Sequence, residues 1–396
     1  MRQGMVLRNG TVFGSSMEPH FVGPRVVWRC PNCGSDNQFA RDTIRLAMPT
    51  KCGQCLQVSQ ESPLDDLSDQ NRTVEFLPGE TIQFGRLRAI RALRKDNDQD
   101  SQLSDHGVKR GDVIVFQASP GSTTEIKRLV GLPNESIAIN DGELIVNGER
   151  YCKSLDEALR QAVLVHTLNN LEERKNKVAF ELKIDNQLAC NAHDSHTIVV
   201  ARDIGVAIQV APTTNPWNAT IMLQSACRDK GEYHVIVKLE KSGSGISLEW
   251  LNQTSVVSID ETKTIGNWIV VYLIDGYIVV GDEFQEWLRK EISFIESSDP
   301  TRDFARIEID LSPKSRQFEQ VLVFRDIEWR GVLDSGAQAW PSEEGIVLLG
   351  DNVSSSSDSR DRWEVRPGME SIKGIVIAPR NPIEALLKQR EIRSQK

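Results

Sequence analysis

Short apolar runs alternate with turn-forming residues along most of the chain. This pattern predicts a protein built mainly from β-strands. The clearest runs are Val206–Val210, Tyr233–Leu239, Trp268–Ile274, Tyr277–Val280 and Gln320–Phe324. Strands that recur with few helical signals between them are typical of a β-sandwich. We therefore expect a sandwich-like arrangement between about residues 176 and 340.

Local signals also predict one hairpin and two helices. The segment Ile137–Val146 contains Asn-Asp-Gly at its centre, and these residues tolerate the positive φ angles that a tight turn needs. Ser154 and Glu157 have the spacing of a capping box, which predicts a helix that begins there. We expect a second, terminal helix over Pro382–Gln395. The apolar stripe of the first helix is expected to contain Leu155, Leu159, Ala162, Val163 and His166.

The hydrophobic pattern gives no sign of a membrane span. No run of eighteen apolar residues occurs, and the longest apolar stretch, Trp268–Val280, is interrupted by Asp275 and Gly276. The first residues also lack an apolar core of signal-peptide length. As written, the chain is therefore expected to have no spanning helix and no cleaved leader.

Composition narrows the class of protein. A chain of 396 residues suits two or three domains. Its formal net charge of −9 argues against a chain-wide nucleic-acid binder, so no nucleic-acid partner is expected. Seven cysteines are too few for a disulfide scaffold of this length.

Four cysteines are grouped in two pairs that have metal-ligand spacing. Cys30 and Cys33 form one pair, and Cys52 and Cys55 form the other. Two residues between thiolates allow one tight turn to place both sulfurs on one ion, and two such turns complete a tetrahedral site. We therefore predict a structural zinc ion held by four thiolates. Two local disulfides or a redox-active pair remain the alternatives.

Four segments of the sequence contain residues that are candidates for a catalytic site. The chain contains Gly14–Pro19 (GSSMEP), Arg110–Phe116 (RGDVIVF), Lys127–Pro133 (KRLVGLP), and Gly350–Asn352 (GDN) followed by Ser356–Arg360 (SSDSR). A serine hydroxyl is a poor nucleophile unless a base takes its proton. A lysine serves as that base when burial disfavours its charged form. Each segment alone is typical of an ordinary surface turn or strand, but their order is specific.

In this order and chemistry, the segments resemble those of the type I signal peptidases, serine proteases with a Ser/Lys dyad. The resemblance implies that Ser16 is the nucleophile, that Lys127 is the general base, and that the backbone N–H of Ser16 stabilises the oxyanion. It also implies that Ser356 orients the lysine. The residues implied to support the site structurally are Asp351, Asn352, Asp358 and Arg360.

The same resemblance implies the substrate and the location. The family cleaves signal peptides of exported precursors after small residues, in an Ala-x-Ala pattern, and adds the substrate as a strand. Its members are membrane-associated, so a membrane surface is an expected partner, and catalysis needs no cofactor. The residues expected to line the substrate pockets are Val12, Phe13, Met17, Phe21 and Ile126.

These expectations divide the chain into five parts. The fold class is mainly β, with a signal-peptidase-like core, an inserted zinc ribbon and an inserted β-sandwich-like domain. The ribbon covers 28–60, a linker covers 61–72, and the terminal tail covers 381–396. The inserted helix and sandwich cover 151–344, and the catalytic core combines 1–27, 73–150 and 345–380.

Two other functions fit parts of the sequence. A soluble Ser/Lys peptidase that resembles the self-cleaving repressors would share the dyad, but would need an internal scissile bond and a helix-turn-helix. A non-catalytic scaffold would use the ribbon and the sandwich to bind a partner. Cleavage of an external precursor separates both alternatives from a signal peptidase.

Overall fold

A computed structural model confirms the mainly β architecture. It describes residues 7–29, 32, 34, 36–41, 50–51, 58–59, 74–86, 107–140, 142–169, 177–180, 202–211, 217–227, 231–242, 245–250, 253–257, 266–292, 304–312, 318–327, 329, 338–341, 343–353, 356–360, 366–379 and 381–394. All structural statements below concern these residues.

A six-stranded sheet, here called the catalytic sheet, joins distant parts of the sequence. Its hydrogen-bonded strand order is β1-β7-β27-β8-β9-β26, and every pairing is antiparallel. Apolar side chains on both faces explain why its central strands are buried. The strands are β1 (Leu7–Thr11), β7 (Thr81–Gly85), β8 (Val113–Phe116), β9 (Glu125–Gly131), β26 (Val347–Leu349) and β27 (Ile372–Val376).

A four-stranded sheet beside it contains the predicted hairpin. Ile137 pairs with Val146 and Asn140 pairs with Glu143, which confirms the hairpin and its register. The last strand, β25, comes from a distant part of the chain and pairs with β10. The strands are β10 (Ile137–Asn140), β11 (Glu143–Val146), β12 (Glu149–Arg150) and β25 (Gln338–Trp340).

Two further six-stranded sheets pack face to face through one hydrophobic cluster. Ile208 and Val271 contribute to the cluster from the first sheet, and Ile221 and Val235 contribute from the second. The first sheet contains β13 (Val163–Asn169), β24 (Phe318–Arg325), β15 (Ile204–Val210), β20 (Trp268–Ile274), β21 (Tyr277–Asp282) and β22 (Glu286–Glu291). The second contains β14 (Lys177–Phe180), β23 (Phe304–Ser312), β16 (Trp217–Cys227), β17 (Gly231–Ser242), β18 (Gly245–Trp250) and β19 (Gln253–Val257).

Two α-helices among the described residues cover the outer face of the first of these sheets. Leu155 and Leu159 of α1 (Leu155–Gln161) and Ile383 and Leu386 of α2 (Pro382–Ser394) are buried in one cluster with that face. Both faces of β20 are therefore covered, and all seven of its residues are buried. This explains why its sequence is a continuous apolar run instead of an alternating one.

The first helix is shorter than predicted. Ser154 caps it, and its side chain accepts a hydrogen bond from the Glu157 N–H, as expected. The helix ends at Gln161, however, and Val163 begins strand β13. The ladder with β24 supplies the backbone partners that a continued helix would have supplied, and β-branched Val163 suits a strand. The terminal helix was predicted correctly.

The small remaining strands flank the paired cysteines. A three-stranded sheet contains β2 (Arg25–Arg29), β3 (Asp36–Ala40) and β6 (Val74–Leu77), and a two-stranded sheet contains β4 (Thr50–Lys51) and β5 (Val58–Ser59). The four cysteines themselves lie outside the described residues, so the zinc ribbon and the predicted domain boundaries stay predictions. A 3-10 turn at Met369–Ser371 precedes β27.

A buried charge cluster joins the hairpin sheet to the sandwich. The Lys153 Nζ lies 2.9 Å from Asp275 Oδ1 and 2.8 Å from Asp326 Oδ2. Asp203 completes the cluster, with carboxylate oxygens of the three acids within 4.8 Å of one another. Burial opposes the ammonium charge, but Asp275 and Asp326 outweigh it and raise the pKa of Lys153 well above its ordinary value. Lys153 is therefore a buried cation that pairs with two of these three acids.

Replacing Lys153 tests how much this cation contributes to the free energy of unfolding. We expect Lys153→Ala to lower the free energy of unfolding by about 3–5 kcal/mol, because it leaves buried carboxylates without their counter-charge. Chemical denaturation measures this change. The control is Lys238→Ala, which removes an exposed pair with Glu249 and should cost less than about 1 kcal/mol. Equal effects of the two substitutions would contradict the assignment.

Candidate active site

The loop between β1 and β2, residues 12–24, carries Ser16 and is here called the serine loop. Val12 is 5% exposed and Met17 is 0% exposed, and both pack in a cluster with Ile82 and Val113 of the catalytic sheet. The Val12 N–H donates to the Glu80 carbonyl over 2.9 Å, and the His20 N–H donates to the Met17 carbonyl over 3.0 Å. The apolar residues beside Ser16 therefore fix the loop against the sheet.

Lys127 lies inside the catalytic sheet. It is on β9, opposite Ile114 of β8, and only 2% of the residue is exposed. Its Nζ lies 2.9 Å from the Ser356 Oγ and donates a hydrogen bond to it. The lysine that the sequence singles out is thus buried and touches the serine that was expected to orient it.

Ser16 and Ser356 approach each other at the glycine corner, which comprises Gly350, Asp351 and Asn352. A Cβ atom added to Gly350 would lie 2.0 Å from the Ser356 Oγ and 2.5 Å from the Ser16 carbonyl oxygen. Glycine alone fits this approach. The corner therefore brings the serine loop and the partner of Lys127 to one place.

Asn352 holds the serine loop against this corner. Its backbone N–H donates to the Ser16 carbonyl over 3.0 Å, and its side-chain amide donates to the Ser15 carbonyl over 2.8 Å. Its own carbonyl accepts a hydrogen bond from the Ser356 N–H over 2.9 Å. One asparagine thus connects both serines of the site.

Asp351 forms the charged centre of the corner. Arg128, the neighbour of Lys127, donates from Nε to Oδ1 over 2.7 Å and from Nη2 to Oδ2 over 2.5 Å. The His20 Nδ1 lies 2.9 Å from the same Oδ2. Burial raises the pKa of Asp351, but Arg128 and His20 outweigh this and lower it to about 2. Asp351 is therefore ionised at neutral pH.

A second buried ion pair, between Arg360 and Asp358, contacts the backbone of the glycine corner. Arg360 donates from Nε to Asp358 Oδ1 over 2.8 Å and from Nη2 to Oδ2 over 2.7 Å. The Asp358 Oδ2 also accepts the Gly350 N–H over 2.8 Å, and Asp358 is 0% exposed. This bidentate pair fixes the backbone of Gly350.

The residues expected to line the substrate pockets are in different environments. Val12, Met17, Phe21 and Ile126 belong to one hydrophobic cluster. Met17 is completely buried in it, whereas Phe13 is 78% exposed and stands apart. The structure thus brings four of the five together. The zinc ligands Cys30, Cys33, Cys52 and Cys55 lie outside the described residues.

His20 is the site residue that sequence reasoning missed. The histidines are scattered in the sequence, and none was assigned chemistry. The structure places the His20 ring between Asp351 and the Ala162 carbonyl, 3.1 Å from its Nε2. Its position directly after the segment Gly14–Pro19, four residues after Ser16, is the signal that points to it.

Part of the chain is similar in sequence to known signal peptidases. Residues 56–194, which include Lys127, match a family described as "Signal peptidase, peptidase S26". A stretch of 43 residues is 42% identical to Signal peptidase I P of Bacillus subtilis subsp. natto, and spans 11% of this chain and 23% of that protein. The chain thus matches less than a quarter of that relative. Together the matches support a relationship to the signal peptidases over part of the chain.

The solved structures that match this chain resemble it only weakly. A β-fructofuranosidase from Schwanniomyces occidentalis complexed with fructosyl-erythritol has a TM-score of 0.25 and 8% identity over 75% of this chain and 50% of that chain. LamAcat from Zobellia galactanivorans has a TM-score of 0.17 and 12% identity over 32% of this chain and 62% of that chain. Scores this low support no conclusion about fold or function.

Within the described part of the chain, neither α-helix is long and apolar enough to cross a membrane.

The ionisation of Asp351 predicts a loss of stability in acid. Because its pKa falls from 3.8 to about 2 on folding, its carboxylate contributes about 2 kcal/mol above pH 4. That contribution disappears as the pH falls towards 2. Urea unfolding of wild type and Asp351→Asn between pH 2 and 6 should show a difference that shrinks in acid.

The control for this series is Asp156→Asn. Asp156 is exposed and pairs with Arg160 one helical turn away, so its effect should stay below about 0.5 kcal/mol at every pH. A difference between wild type and Asp351→Asn that stays constant down to pH 2 would contradict the assigned ionisation.

Proposed function

We propose that the protein is a serine endopeptidase of the signal peptidase I type, which cleaves signal peptides of exported precursors after small residues. The observation that carries the proposal is the contact between buried Lys127 and Ser356, 2.9 Å apart. This contact lies at the corner against which the Ser16 carbonyl packs. The family match over 56–194 supports the same reaction class.

In this mechanism Ser16 is the nucleophile and Lys127 is the base. The neutral Lys127 amine takes the proton as the Ser16 Oγ attacks the scissile carbonyl. The Ser16 backbone N–H stabilises the oxyanion. The ammonium then gives its proton to the leaving amine, and the C–N bond breaks. Water attacks the acyl-enzyme while Lys127 again acts as base, which releases the acid and restores Ser16.

Burial makes a lysine suitable for this role. A charged ammonium that is 2% exposed loses most of its hydration, and this favours the neutral amine that can accept a proton. Ser356 orients the amine through its hydroxyl. Asp351, Asn352, Asp358 and Arg360 act indirectly, because their contacts fix the corner and the serine loop.

The proposed substrate is an extended precursor segment with small side chains before the scissile bond. The apolar cluster beside Ser16, which includes Val12, Met17, Phe21 and Ile126, supports pockets for small apolar groups. Phe13, which is exposed and lies outside this cluster, is proposed to contact the substrate as well. We further propose that the protein acts at a membrane surface, where such precursors are presented.

Cleavage of a precursor tests the function directly. Wild type in detergent–lipid micelles should cut a signal-peptide-bearing precursor after a small residue, with the cut located by mass spectrometry. Ser16→Ala and Lys127→Ala should each lower kcat by at least about 10³-fold, because either change removes the dyad. Ser356→Ala should lower kcat by a smaller factor, since it leaves both dyad members in place.

The control is Ser122→Ala, which alters a hydroxyl in an exposed turn and should leave cleavage unchanged. No cleavage by folded wild type would favour the scaffold alternative. A cut within the chain itself, with no cut in the precursor, would favour the self-cleaving alternative.

We also propose that Cys30, Cys33, Cys52 and Cys55 hold one structural zinc ion. In the sequence, each pair lies between two strands that pair with each other in antiparallel fashion. Arg29 pairs with Asp36 around the first pair, and Lys51 pairs with Val58 around the second. Gly34 has a φ of 72°, as a tight turn after Cys33 requires. Four thiolates in two such segments fit the tetrahedral preference of zinc.

Metal analysis tests this site. We expect one zinc per chain by mass spectrometry of metals, and loss of that zinc in Cys30→Ser and Cys52→Ser. The matched control is Cys152→Ser, since Cys152 is exposed in the described part of the chain and should not affect the metal content. Purified wild type without zinc would favour disulfides or redox-active thiols, and full zinc retention in both variants would show that other residues hold the metal.

A further inference from the structure

His20 lies between two hydrogen-bond acceptors that belong to different parts of the molecule. It is 7% exposed. Its Nδ1 lies 2.9 Å from the Asp351 Oδ2, and its Nε2 lies 3.1 Å from the Ala162 carbonyl oxygen. Neither partner atom can donate, because Asp351 is ionised with a pKa of about 2 and the other is a carbonyl.

The Nε2 carries the proton that the Ala162 carbonyl accepts, because a carbonyl oxygen cannot donate. The Nδ1 side of the ring lies against the Asp351 carboxylate. The charged groups nearby are Asp351 with its partner Arg128, and Glu18 with Arg25, 3.8 Å apart, in the serine loop and at the start of β2. The partners on the other side, Ala162 and Gln389, are uncharged.

The contact with Ala162 connects His20 to two segments outside the catalytic sheet. Ala162 is the C-cap of α1 and directly precedes β13 of the sandwich. Its carbonyl also accepts a hydrogen bond from the Gln389 Nε2 over 2.9 Å, and the Gln389 Oε1 accepts the Leu164 N–H over 2.9 Å. His20 therefore links the serine loop to the helix–strand junction and to α2.

The Asp351 contact reaches the reacting groups. Asp351 binds Arg128, the neighbour of Lys127, and precedes Asn352, which holds the Ser15 and Ser16 carbonyls. A shift of the His20 ring would displace the corner on which both dyad members depend. Misplacement by about 1 Å is enough to reduce the rate of an enzyme about 100-fold.

We propose that His20 is a positioning residue that ties the serine loop to Asp351 on one side and to the Ala162 carbonyl on the other. It sets Ser16 relative to Lys127 and couples this geometry to the docking of α1 and α2. The proposal rests on the proposed function, since it assigns a role in the Ser16/Lys127 reaction.

Two substitutions separate the contacts. The amide nitrogen of asparagine occupies the position of the histidine Nδ1, so His20→Asn keeps a donor to Asp351. The amide nitrogen of glutamine reaches the position of Nε2, so His20→Gln keeps the donor to Ala162. We expect kcat for the precursor to fall at least 10-fold in His20→Gln and by a smaller factor in His20→Asn. KM should change less than 3-fold in both.

The control for the substitution itself is His166→Asn, in an exposed position of the sandwich, which should leave kcat unchanged. Wild type must cleave the precursor and Ser16→Ala must not, because absence of wild-type activity overturns the proposed function and not this role of His20. Active wild type with unchanged kcat in both His20 variants overturns the positioning role.

A second measurement is independent of activity and of how the variants fold. Long-range ¹H–¹⁵N spectra of wild type and inactive Ser16→Ala, labelled at the six histidines, report the protonation of each ring. We expect the ring assigned to His20, by its absence in His20→Asn, to carry a proton on Nε2, the nitrogen that faces the Ala162 carbonyl. A His20 ring without a proton on Nε2 overturns the proposal.

Discussion

The buried ion pair between Arg128 and Asp351 is the interaction on which the candidate site depends. Arg128 extends from the same strand as Lys127, and Asp351 belongs to the corner that contacts Ser16 and Ser356. A buried carboxylate without its arginine would be strongly destabilising. The pair therefore fixes the distance between the lysine strand and the corner.

Glycine and asparagine make this corner possible for a different reason. Gly350 has no side chain, so the Ser16 backbone and the Ser356 side chain approach the same Cα atom. Asn352 then binds two carbonyls of the serine loop. Close backbone approach with full hydrogen bonding gives a rigid site on ordered elements. Such preorganisation is what catalysis by a weak nucleophile requires.

The sandwich and the two helices are connected to this site by hydrogen bonds. The helix α1 ends at the carbonyl that His20 contacts, and α2 packs on the sandwich sheet while Gln389 contacts the same carbonyl. The buried Lys153 cluster fixes the sandwich to the hairpin sheet. The segment that leads into the sandwich is therefore held to the serine loop by buried polar contacts, which depend on geometry more than apolar contacts do.

The sequence by itself determined the strand-rich architecture, the 137–146 hairpin, the terminal helix and the segments with candidate chemistry, because periodicity, turn residues and motif order are local properties. It overextended the first helix, since the ladder of β13 with β24 is a long-range pairing. The contact of Lys127 with Ser356 across 229 positions was expected only from the family resemblance, and the contact of His20 with Asp351 was decided by the tertiary structure alone. Such contacts follow from how distant strands pack together, which no local pattern encodes.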